Sequence, residues 1–384
     1  MRKIIFPLER SVGQLFVKAS DITNAKWLEF EEAQGELTIP TDKVVRLETR
    51  LIDGSLAFLL KLSGDLNGIR FINSKLSDND LIYLEKLANL QELYLTGCQI
   101  TDLGLFHITN LLNLKKLFLN YTKITSKGAF HLSKLNHLEA LDIGGTEVDD
   151  AGMECINKLT NLSYLNLFCN NISDTGLKHL QNLSEMTELN LSGTNITGLS
   201  ISYLSTFNRL KTLYINSTLY VEDASLAFLK ELNSLEYLDI GTSNFTDISL
   251  ACIKEIKNLS TLICRSTKIT DMGLSYLQNL SQLENLDISY TKITDAGIKK
   301  LENLQSLKKL CLSRTCISDK ALAYIQGLNN LKEINLSYTN VSEKSLIELE
   351  TLGCLELLTI TGTQITDYGL KVLKEKLPCC YIIA

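Results

Sequence analysis

The sequence predicts an α/β solenoid, in which one short strand and one short helix alternate along a single elongated domain. A unit such as the one from Leu283 to Ser306 recurs about thirteen times between Leu66 and Pro378, at a period of about 24 residues. Within each unit, apolar residues first alternate with polar ones and then recur about every three positions. The first pattern is typical of a half-buried strand and the second of an amphipathic helix. Each coil packs mainly on its neighbours, so one domain can reach this length.

The unit from Leu283 shows the pattern, which is L-x-x-L-x-L-x-x-T-x-I-T-D-x-G-L-x-x-L-x-x-L-x-x. Around Leu286 and Ile288, apolar and polar residues alternate, so we expect a short strand with one buried face. Farther along, Ile298 and Leu301 recur on one side of a short helix. The leucines of both elements therefore form the predicted core.

A hydroxyl residue followed by aspartate stands between strand and helix in many units. Threonine or serine can cap the free amides at a helix start, and an aspartate in the first turn complements the helix dipole. The pair therefore predicts where each helix begins. The pairs are Thr101-Asp102, Ser173-Asp174, Thr246-Asp247, Thr270-Asp271, Thr294-Asp295, Ser318-Asp319 and Thr366-Asp367.

Two further columns, meaning positions that recur from unit to unit, have a structural interpretation. Glycine precedes the first helix leucine in most units, and we expect it to permit close backbone approach between coils. Threonine follows the strand, and we expect its hydroxyl to satisfy turn amides of the neighbouring coil. The glycines are Gly104, Gly128, Gly152, Gly176, Gly273, Gly297 and Gly369. The second column is Thr122, Thr146, Asn170, Thr194, Thr267, Thr291, Thr315, Thr339 and Thr363.

The predicted domain organisation has three parts, which are residues 1–65, 66–378 and 379–384. Residues 1–65 are expected to form a small β-rich N-terminal cap with a degenerate first coil, since a solenoid otherwise exposes its core. A separate functional module is the alternative. The strands of this segment are expected at Leu15 to Val17, Trp27 to Phe30 and Glu36 to Ile39. About thirteen repeats follow, and the C-terminal tail is expected to add a final edge strand.

One unit is irregular, because the unit from Leu210 carries an extra residue where Leu219 and Tyr220 interrupt the usual pattern. We expect a bulge there that places an apolar side chain on the rim.

Composition excludes several classes of function. The net charge is −6 and the chain has no Lys/Arg run, which argues against nucleic acid or an anionic membrane surface as the main partner. No apolar run reaches the length of a membrane span, and Pro7 and Glu9 interrupt any signal-peptide core. We therefore expect a cytoplasmic protein, with signal-independent export left open. The ten cysteines are scattered over tolerant positions, which favours free thiols.

These units resemble bacterial leucine-rich repeats of the cysteine-containing or GALA-like type, over about 80% of the chain. The resemblance implies a right-handed horseshoe with a concave parallel β-sheet and convex helices, and it implies protein–protein recognition by that sheet. Some proteins of this repeat type are substrate-recognition arms of ubiquitin ligases and carry a helical F-box, whereas residues 1–65 here are predicted to form strands. The alternative function is an adaptor or secreted effector whose N-terminal segment recruits a second component.

In each unit, the residue between the two strand core positions is expected to face the open surface of the sheet. No folding rule requires large aromatic residues there, so exposed aromatics suggest an anchor for a protein partner. The alternative is cross-strand packing that only stabilises the sheet. The predicted partner-binding residues are Tyr94, Phe118, Tyr121, Asp142, Tyr164, Asn166, Phe168, Asn190 and Tyr214. A second, more regular set is Tyr237, Asp239, Asp287, Tyr290, Asn335 and Tyr338, which repeat duplication also explains.

One helix column holds His107, His131, Cys155 and His179, which are residue types that bind zinc. Helices pack about 8–10 Å apart, so only neighbouring members could share a metal, and a half-buried amphipathic position explains the column better. Metal-dependent sensing is thus the least favoured alternative. No histidine, His137 included, stands beside a nucleophile motif. We expect no enzyme and no cofactor.

Overall fold

The computed structural model describes residues 1–20, 25–50, 56–62 and 64–384. The chain divides into two compact units, Met1–Leu189 and Asn190–Ala384. In each unit, short strands alternate with short helices, and the strands pair in parallel from coil to coil. The predicted leucine-rich-repeat solenoid is therefore confirmed. Among the described residues, no helix is long and apolar enough to cross a bilayer.

The first unit begins with strands that the repeat pattern does not contain. Strand β2 lies between β3 and β5 and is antiparallel to both. Strand β5 then pairs in parallel with β6, and parallel pairing continues through β10. Strands β1 and β4 form a separate antiparallel pair. The strands are β1 (Arg2–Ile5), β2 (Gln14–Ala19), β3 (Leu28–Glu32), β4 (Glu36–Ile39), β5 (Lys43–Thr49), β6 (Gly68–Phe71), β7 (Glu92–Tyr94), β8 (Lys116–Phe118), β9 (Ala140–Asp142) and β10 (Tyr164–Asn166).

The second unit is the more regular one, with eight successive parallel strands. Strand β11 (Glu188–Asn190) contains the division between the units. The strands that follow are β12 (Thr212–Tyr214), β13 (Tyr237–Asp239), β14 (Thr261–Ile263), β15 (Asn285–Asp287), β16 (Lys309–Cys311), β17 (Glu333–Asn335), β18 (Leu357–Thr359) and β19 (Tyr381–Ile383). The last of these is formed by the C-terminal tail.

The α-helices are short, at about one to three turns, and several end as 3-10 helix. The α-helices are α1 (Asp102–Ile108), α2 (Ser126–Leu132), α3 (Asp150–Ile156), α4 (Asp174–His179), α5 (Gly198–Tyr203), α6 (Asp247–Ile253), α7 (Asp271–Leu274), α8 (Asp295–Ile298), α9 (Asp319–Ile325), α10 (Leu346–Glu350) and α11 (Asp367–Lys376). The 3-10 helices are Leu56–Lys61, Asp78–Leu84, Leu180–Asn182, Leu204–Thr206, Asp223–Glu231, Ser275–Asn279, Lys299–Leu301 and Glu343–Ser345.

The core is a set of leucine columns in exact register. In the first unit Leu93 pairs with Leu117, Leu117 pairs with Leu141, and all three are 0% exposed. The period-two pattern thus places one face of every strand inward, as predicted. Leu219 and Tyr220 are about 60% exposed. This confirms the predicted exposed apolar side chain in the irregular repeat that begins at Leu210.

Six of the seven predicted helix caps are confirmed, whereas the Ser318 side chain makes no cap bond. The aspartates also have a second role that the sequence pattern did not show. The Thr270 side chain accepts a hydrogen bond from the Met272 amide at the start of α7. Asp247, one coil earlier, accepts from the Thr270 amide at 2.7 Å and from its hydroxyl at 2.7 Å. Each such carboxylate bridge joins the helix start of one coil to the next. Further bridges join Asp78–Thr101, Asp102–Thr125, Asp150–Ser173, Asp223–Thr246, Asp271–Thr294, Asp295–Ser318, Asp319–Ser342 and Glu343–Thr366.

One coil pair keeps the bridge with its two partners exchanged. Serine replaces the aspartate at Ser126, and aspartate replaces the hydroxyl residue at Asp149. The Ser126 hydroxyl donates to Asp149 Oδ1 at 2.5 Å, and the Asp149 amide donates to Ser126 Oγ at 3.0 Å. The exchange shows that the bond between coils, rather than the helix dipole alone, accounts for the pair.

The residues of this column are glycines because the carboxylates occupy the space of a side chain, not because two backbones meet. A Cβ on Gly297 would lie 2.3 Å from Asp271 Oδ1, and one on Gly104 would lie 2.4 Å from Asp78 Oδ1. The expected close approach is therefore real, but the approaching group is the carboxylate bridge. Ala321 stands at the equivalent place in its coil, so a methyl group is tolerated when the coil adjusts.

The threonine column forms its bonds within its own coil, so the predicted bonds to neighbouring turn amides are wrong. Thr291 Oγ1 donates to the Ile288 carbonyl at 2.6 Å, three residues earlier. Eight other threonines repeat this bond. Asn170 is the exception, because its longer side chain accepts from the Thr146 amide of the preceding coil at 3.0 Å.

Candidate functional site

The strands of the first unit bring four of its predicted site residues into one row. Tyr94 pairs with Phe118, Phe118 with Asp142, and Asp142 with Asn166. Because paired strands lie about 4.8 Å apart, neighbouring side chains of this row are in contact distance. The nine predicted residues divide between the units. Asn190 and Tyr214 lie in the second, and the other seven lie in the first.

Five aromatic residues on this face form what we call the aromatic cluster: Tyr94, Phe118, Tyr121, Tyr164 and Phe168. Tyr94 and Phe118 stack with ring centroids 4.6 Å apart, and Phe118 lies 6.0 Å from Tyr164. Tyr121 and Phe168 meet edge to face at 6.5 Å. Four of the rings are half-buried, while Tyr121 is 59% exposed. The cluster is thus partly packed and partly accessible.

Tyr121 occupies an unusual backbone position, with φ of 60°. Its ring lies over Gly145, where an added Cβ would come within 2.7 Å of Tyr121 Cδ1. Every non-glycine residue with positive φ among the described residues stands in this same column, which otherwise holds glycines such as Gly97 and Gly193. A bulky residue there costs roughly 1 kcal/mol relative to glycine. The recurrent glycines were the sequence signal for this turn.

An open depression of about 420 Å³ adjoins the aromatic cluster. Its lining combines aromatic, apolar and polar side chains, as binding surfaces for proteins usually do. The lining residues are Arg70, Phe71, Ile72, Asn73, Tyr94, Thr96, Phe118, Asn120 and Asp142.

Beside the cluster, a buried carboxylate joins the N-terminal strands to the first repeats. Glu92 is 4% exposed. It accepts hydrogen bonds from Lys18 Nζ at 3.1 Å, Trp27 Nε1 at 3.2 Å and the Tyr94 hydroxyl at 3.3 Å. Burial and the Glu92 charge raise the pKa of Tyr94 to about 12, so its phenol keeps the proton that it donates.

Three cations surround this carboxylate. Lys18 lies 3.1 Å, Lys116 3.6 Å and Arg46 3.7 Å from Glu92 oxygens. Burial raises the pKa of Glu92, but Lys116, Lys18 and Arg46 lower it by more, so the pKa lies below its usual value. Lys18 and Arg46 also lie over the Trp27 ring, at 4.4 and 4.7 Å from its centroid. Sequence reasoning missed this network, because its members come from strands whose pairing partners no local pattern shows.

The polar members of the predicted row have a structural role. Asp142 Oδ1 accepts from the Gly144 amide at 3.0 Å, and Asn166 Oδ1 accepts from the Phe168 amide at 3.0 Å. Asn190, Asp239, Asp287 and Asn335 make the same bond two residues onward. Each bond ends a strand with a turn. Asp142 is only 5% exposed, and burial raises its pKa against the opposing effect of the Gly144 amide and Asn166.

In the second unit, Tyr214 lies 4.9 Å from Tyr237. Burial, with smaller effects from Tyr214 and Asp239, raises the pKa of Tyr237. The pair is half-buried, so it stabilises the sheet as well as lining its face.

The histidine and cysteine column lies on the helices. His107 Nδ1 is 2.6 Å from Glu85, and His179 Nε2 is 3.7 Å from Glu154. The ring of His131 packs edge-on against Phe106 at 6.2 Å. In the described part of the chain, no three His, Cys, Asp or Glu side chains are grouped to hold a metal ion. All ten cysteines are free thiols.

Comparisons with known proteins identify the repeat. The family described as "Leucine-rich repeat region" matches residues 189–375, and two further leucine-rich-repeat families match residues 88–148 and 158–180. No curated protein sequence matches.

Solved structures of three proteins share the fold. An internalin from Listeria monocytogenes is 28% identical, with a TM-score of 0.60 over 78% of this chain and 82% of that chain. A leucine-rich-repeat protein of Leptospira interrogans is 18% identical, with a TM-score of 0.58 over 85% of this chain and 91% of that one. A TDR receptor is 14% identical, with a TM-score of 0.54 over 88% of this chain and 61% of that one.

Proposed function

We propose that this chain, a leucine-rich-repeat protein, is a non-enzymatic scaffold that binds a protein partner on the open face of the sheet in its first unit. Repeat arrays of this kind present extended surfaces that bind other proteins. The observation that carries the proposal is the aromatic cluster beside the 420 Å³ depression. Aromatic side chains that line a rigid, open surface are the usual anchors of protein interfaces.

Stabilisation of the sheet does not account for the whole cluster. Tyr94 and Phe118 gain from stacking on each other, which explains part of their size. Tyr121 is 59% exposed, and its backbone adopts a conformation that costs a tyrosine more than a glycine. An exposed ring at a strained position points to selection for binding rather than for folding.

The contact residues of the proposal are the aromatic cluster with Asn166 at its border. Asp142 belongs to the same face, but its burial gives it a supporting role at the strand end. Asn190 and Tyr214 lie in the second unit and stay proposed partner contacts of that unit. The cysteine-containing or GALA-like repeat subtype stays our proposal, supported by the 24-residue period and by thiols such as buried Cys264 in a strand core position.

We further infer that residues 1–65 cap the array, followed by repeats over residues 66–378 and a closing tail over residues 379–384. Strand β2 pairs with β5, and β5 pairs with the first repeat strand, so the segment extends the same sheet. The buried bonds of Glu92 to Lys18 and Trp27 also tie the two parts together. This continuity supports a cap over a recruiting module, which would need to be an independent body.

Affinity capture from a lysate of the source organism tests the proposed function. The bait is the wild-type chain, compared with a Tyr94→Ala, Phe118→Ala, Phe168→Ala triple variant whose fold is verified by circular dichroism. A Phe106→Ala, Phe130→Ala variant is the matched control, because it removes exposed aromatics from the helices. We expect one protein to be retained by wild type and control and lost by the triple variant. Equal retention by all three would refute the site.

A further inference from the structure

The second unit carries a surface of different chemistry, which we call the cationic strip. It consists of the four-residue segments that follow strands β13 to β18. They are residues 241–244, 265–268, 289–292, 313–316, 337–340 and 361–364. The strip contains Arg265, Lys268, Lys292 and Arg314 and has no aspartate or glutamate. All four cations are exposed.

Among the described residues, these cations form no ion pair with a carboxylate, in contrast to the lysines at the opposite ends of the same strands. There, Lys308 bonds Glu284 at 2.7 Å and Lys332 bonds Glu356 at 2.6 Å. None of the four strip cations has a carboxylate within ion-pair distance in the parts of the chain that the structure describes. The strip therefore carries positive charge that no ion pair offsets, on a protein whose net charge is −6.

Two tyrosine rings hold one of these cations in place. The Arg314 guanidinium lies 4.1 Å from the Tyr338 ring and 5.4 Å from the Tyr290 ring. All three residues adopt positive φ, at 52°, 55° and 57° respectively, in a column where four coils have glycine and others have smaller residues such as Ser217 and Thr242. The Tyr338 ring lies over Gly362, in the same way that Tyr121 covers its neighbour. A bulky side chain at positive φ is less favourable than glycine, so the ladder Tyr290–Arg314–Tyr338 incurs a backbone cost.

We propose that the cationic strip binds an acidic segment of a protein partner. A guanidinium held between two rings keeps its donors available for a carboxylate, and arginine binds carboxylates with two parallel hydrogen bonds. The strip spans six coils, which is about 24 Å at the usual strand spacing. An extended segment of about seven residues covers that distance.

The sheet face beside the cationic strip disfavours nucleic acid as the bound partner. It carries the carboxylates of Asp239 and Asp287, and the charge of Arg265 acts on Asp239 without overcoming the effect of burial. A continuous phosphate backbone would face both carboxylates, whereas a peptide can place neutral or apolar residues there. A depression of about 310 Å³ lined by Ile263, Asp287 and Cys311, among others, offers room for one such apolar side chain. The favoured occupant is therefore acidic with interspersed apolar residues.

A fluorescence-anisotropy titration of the full chain tests this inference. The probe is a fluorescein-labelled peptide of three Glu-Glu-Leu repeats, and the reference probe replaces each glutamate with glutamine. The Arg314→Gln, Lys292→Gln variant should raise the Kd for the glutamate probe by about fivefold or more, since two exposed ion pairs with the probe are lost. The matched control is Lys308→Gln, Lys332→Gln, which changes the net charge equally and should leave the Kd within about twofold.

Several outcomes would overturn the inference. They are no saturable binding of the glutamate probe by wild type, equal binding of the glutamine probe, or an equal loss in the matched control. Tighter binding of an oligouridylate of similar length, lost in the strip variant, would identify a nucleic-acid surface instead. The Phe118→Ala variant should bind the glutamate probe like wild type, so failure of this inference and failure of the proposed function are distinguishable.

Discussion

Removing one carboxylate bridge should destabilise the second unit by far more than an ordinary surface substitution. In Asp247→Ala, the Thr270 amide and hydroxyl each lose a charged acceptor at 2.7 Å. The site is half-buried and lies between two coils, so water replaces these bonds only in part. Gly273 leaves no side chain that could fill the gap, because its missing Cβ lies 2.4 Å from where Asp247 Oδ1 stood.

The magnitude follows from the two bonds. A hydrogen bond to a charged group contributes about 1.5–3 kcal/mol, and partial solvation favours the lower value here. Two bonds therefore give a loss of about 3 kcal/mol, and the favourable contact with the helix dipole adds about 0.5 kcal/mol. Asp247→Asn keeps one acceptor and loses the charge, so we expect it to cost about 1 kcal/mol.

Urea unfolding followed by circular dichroism measures these changes. Asp367→Ala is the matched control, since Asp367 has the same place in the last coil but no bridged coil after it among the described residues. We expect only about 0.5 kcal/mol there, from the helix dipole. A loss in Asp247→Ala no greater than in Asp367→Ala would refute the bridge as a source of stability. A Thr270→Val partner variant would then show no coupling to Asp247 either.

Three further predictions follow from the same structure. Glu92→Gln should destabilise the first unit by about 3 kcal/mol at neutral pH, because Lys18, Lys116 and Arg46 lose their buried counter-charge. The pKa of Glu92 is lowered in the folded state, so its stabilisation is present above its usual value of 4.5 and is lost as pH falls through the folded pKa. Acid unfolding of the variant should lack this step, and an unchanged acid profile would contradict the assignment. Asp142→Asn should be at least as stable as wild type in thermal unfolding at neutral pH, since the raised pKa of Asp142 marks a disfavoured charge and Asn166 makes the same turn bond; a loss above about 1 kcal/mol would show that the charge is needed. Gly297→Val should cost about 2 kcal/mol or more, because its Cβ would lie 2.3 Å from Asp271 Oδ1, whereas Gly327→Ala, with open space around it, should not lower the melting temperature.

The coil pattern was predictable because it depends on residues close together in the sequence. Strand alternation at Leu286 and Ile288, the cap at Thr294 and the exposed side chain of Leu219 each follow from a few neighbouring residues. The carboxylate bridge was not predictable, because it joins residues 23 positions apart and depends on how two coils stack. The exchanged pair Ser126–Asp149 was the available signal.

The candidate site was predictable only in part. Sequence alternation placed Tyr94 and Phe118 in one row, and the structure shows the two rings stacked. Sequence alternation did not show that the Asp142 carboxylate accepts a hydrogen bond from the Gly144 amide in the turn. That bond depends on the backbone beyond the strand. The Glu92 network depends on which strand the N-terminal segment pairs with, and no local pattern contains that information.

The most direct test of the central claim is the dissociation constant of the captured partner for purified wild-type, Phe118→Ala and Phe106→Ala proteins, measured by calorimetric titration. Phe118 lies at the centre of the aromatic cluster, and truncating a central aromatic anchor usually costs about 2 kcal/mol or more of binding energy. We expect Phe118→Ala to weaken binding by about thirtyfold, and Phe106→Ala, on the helices, to match wild type. Equal dissociation constants for all three folded proteins would show that the partner binds elsewhere.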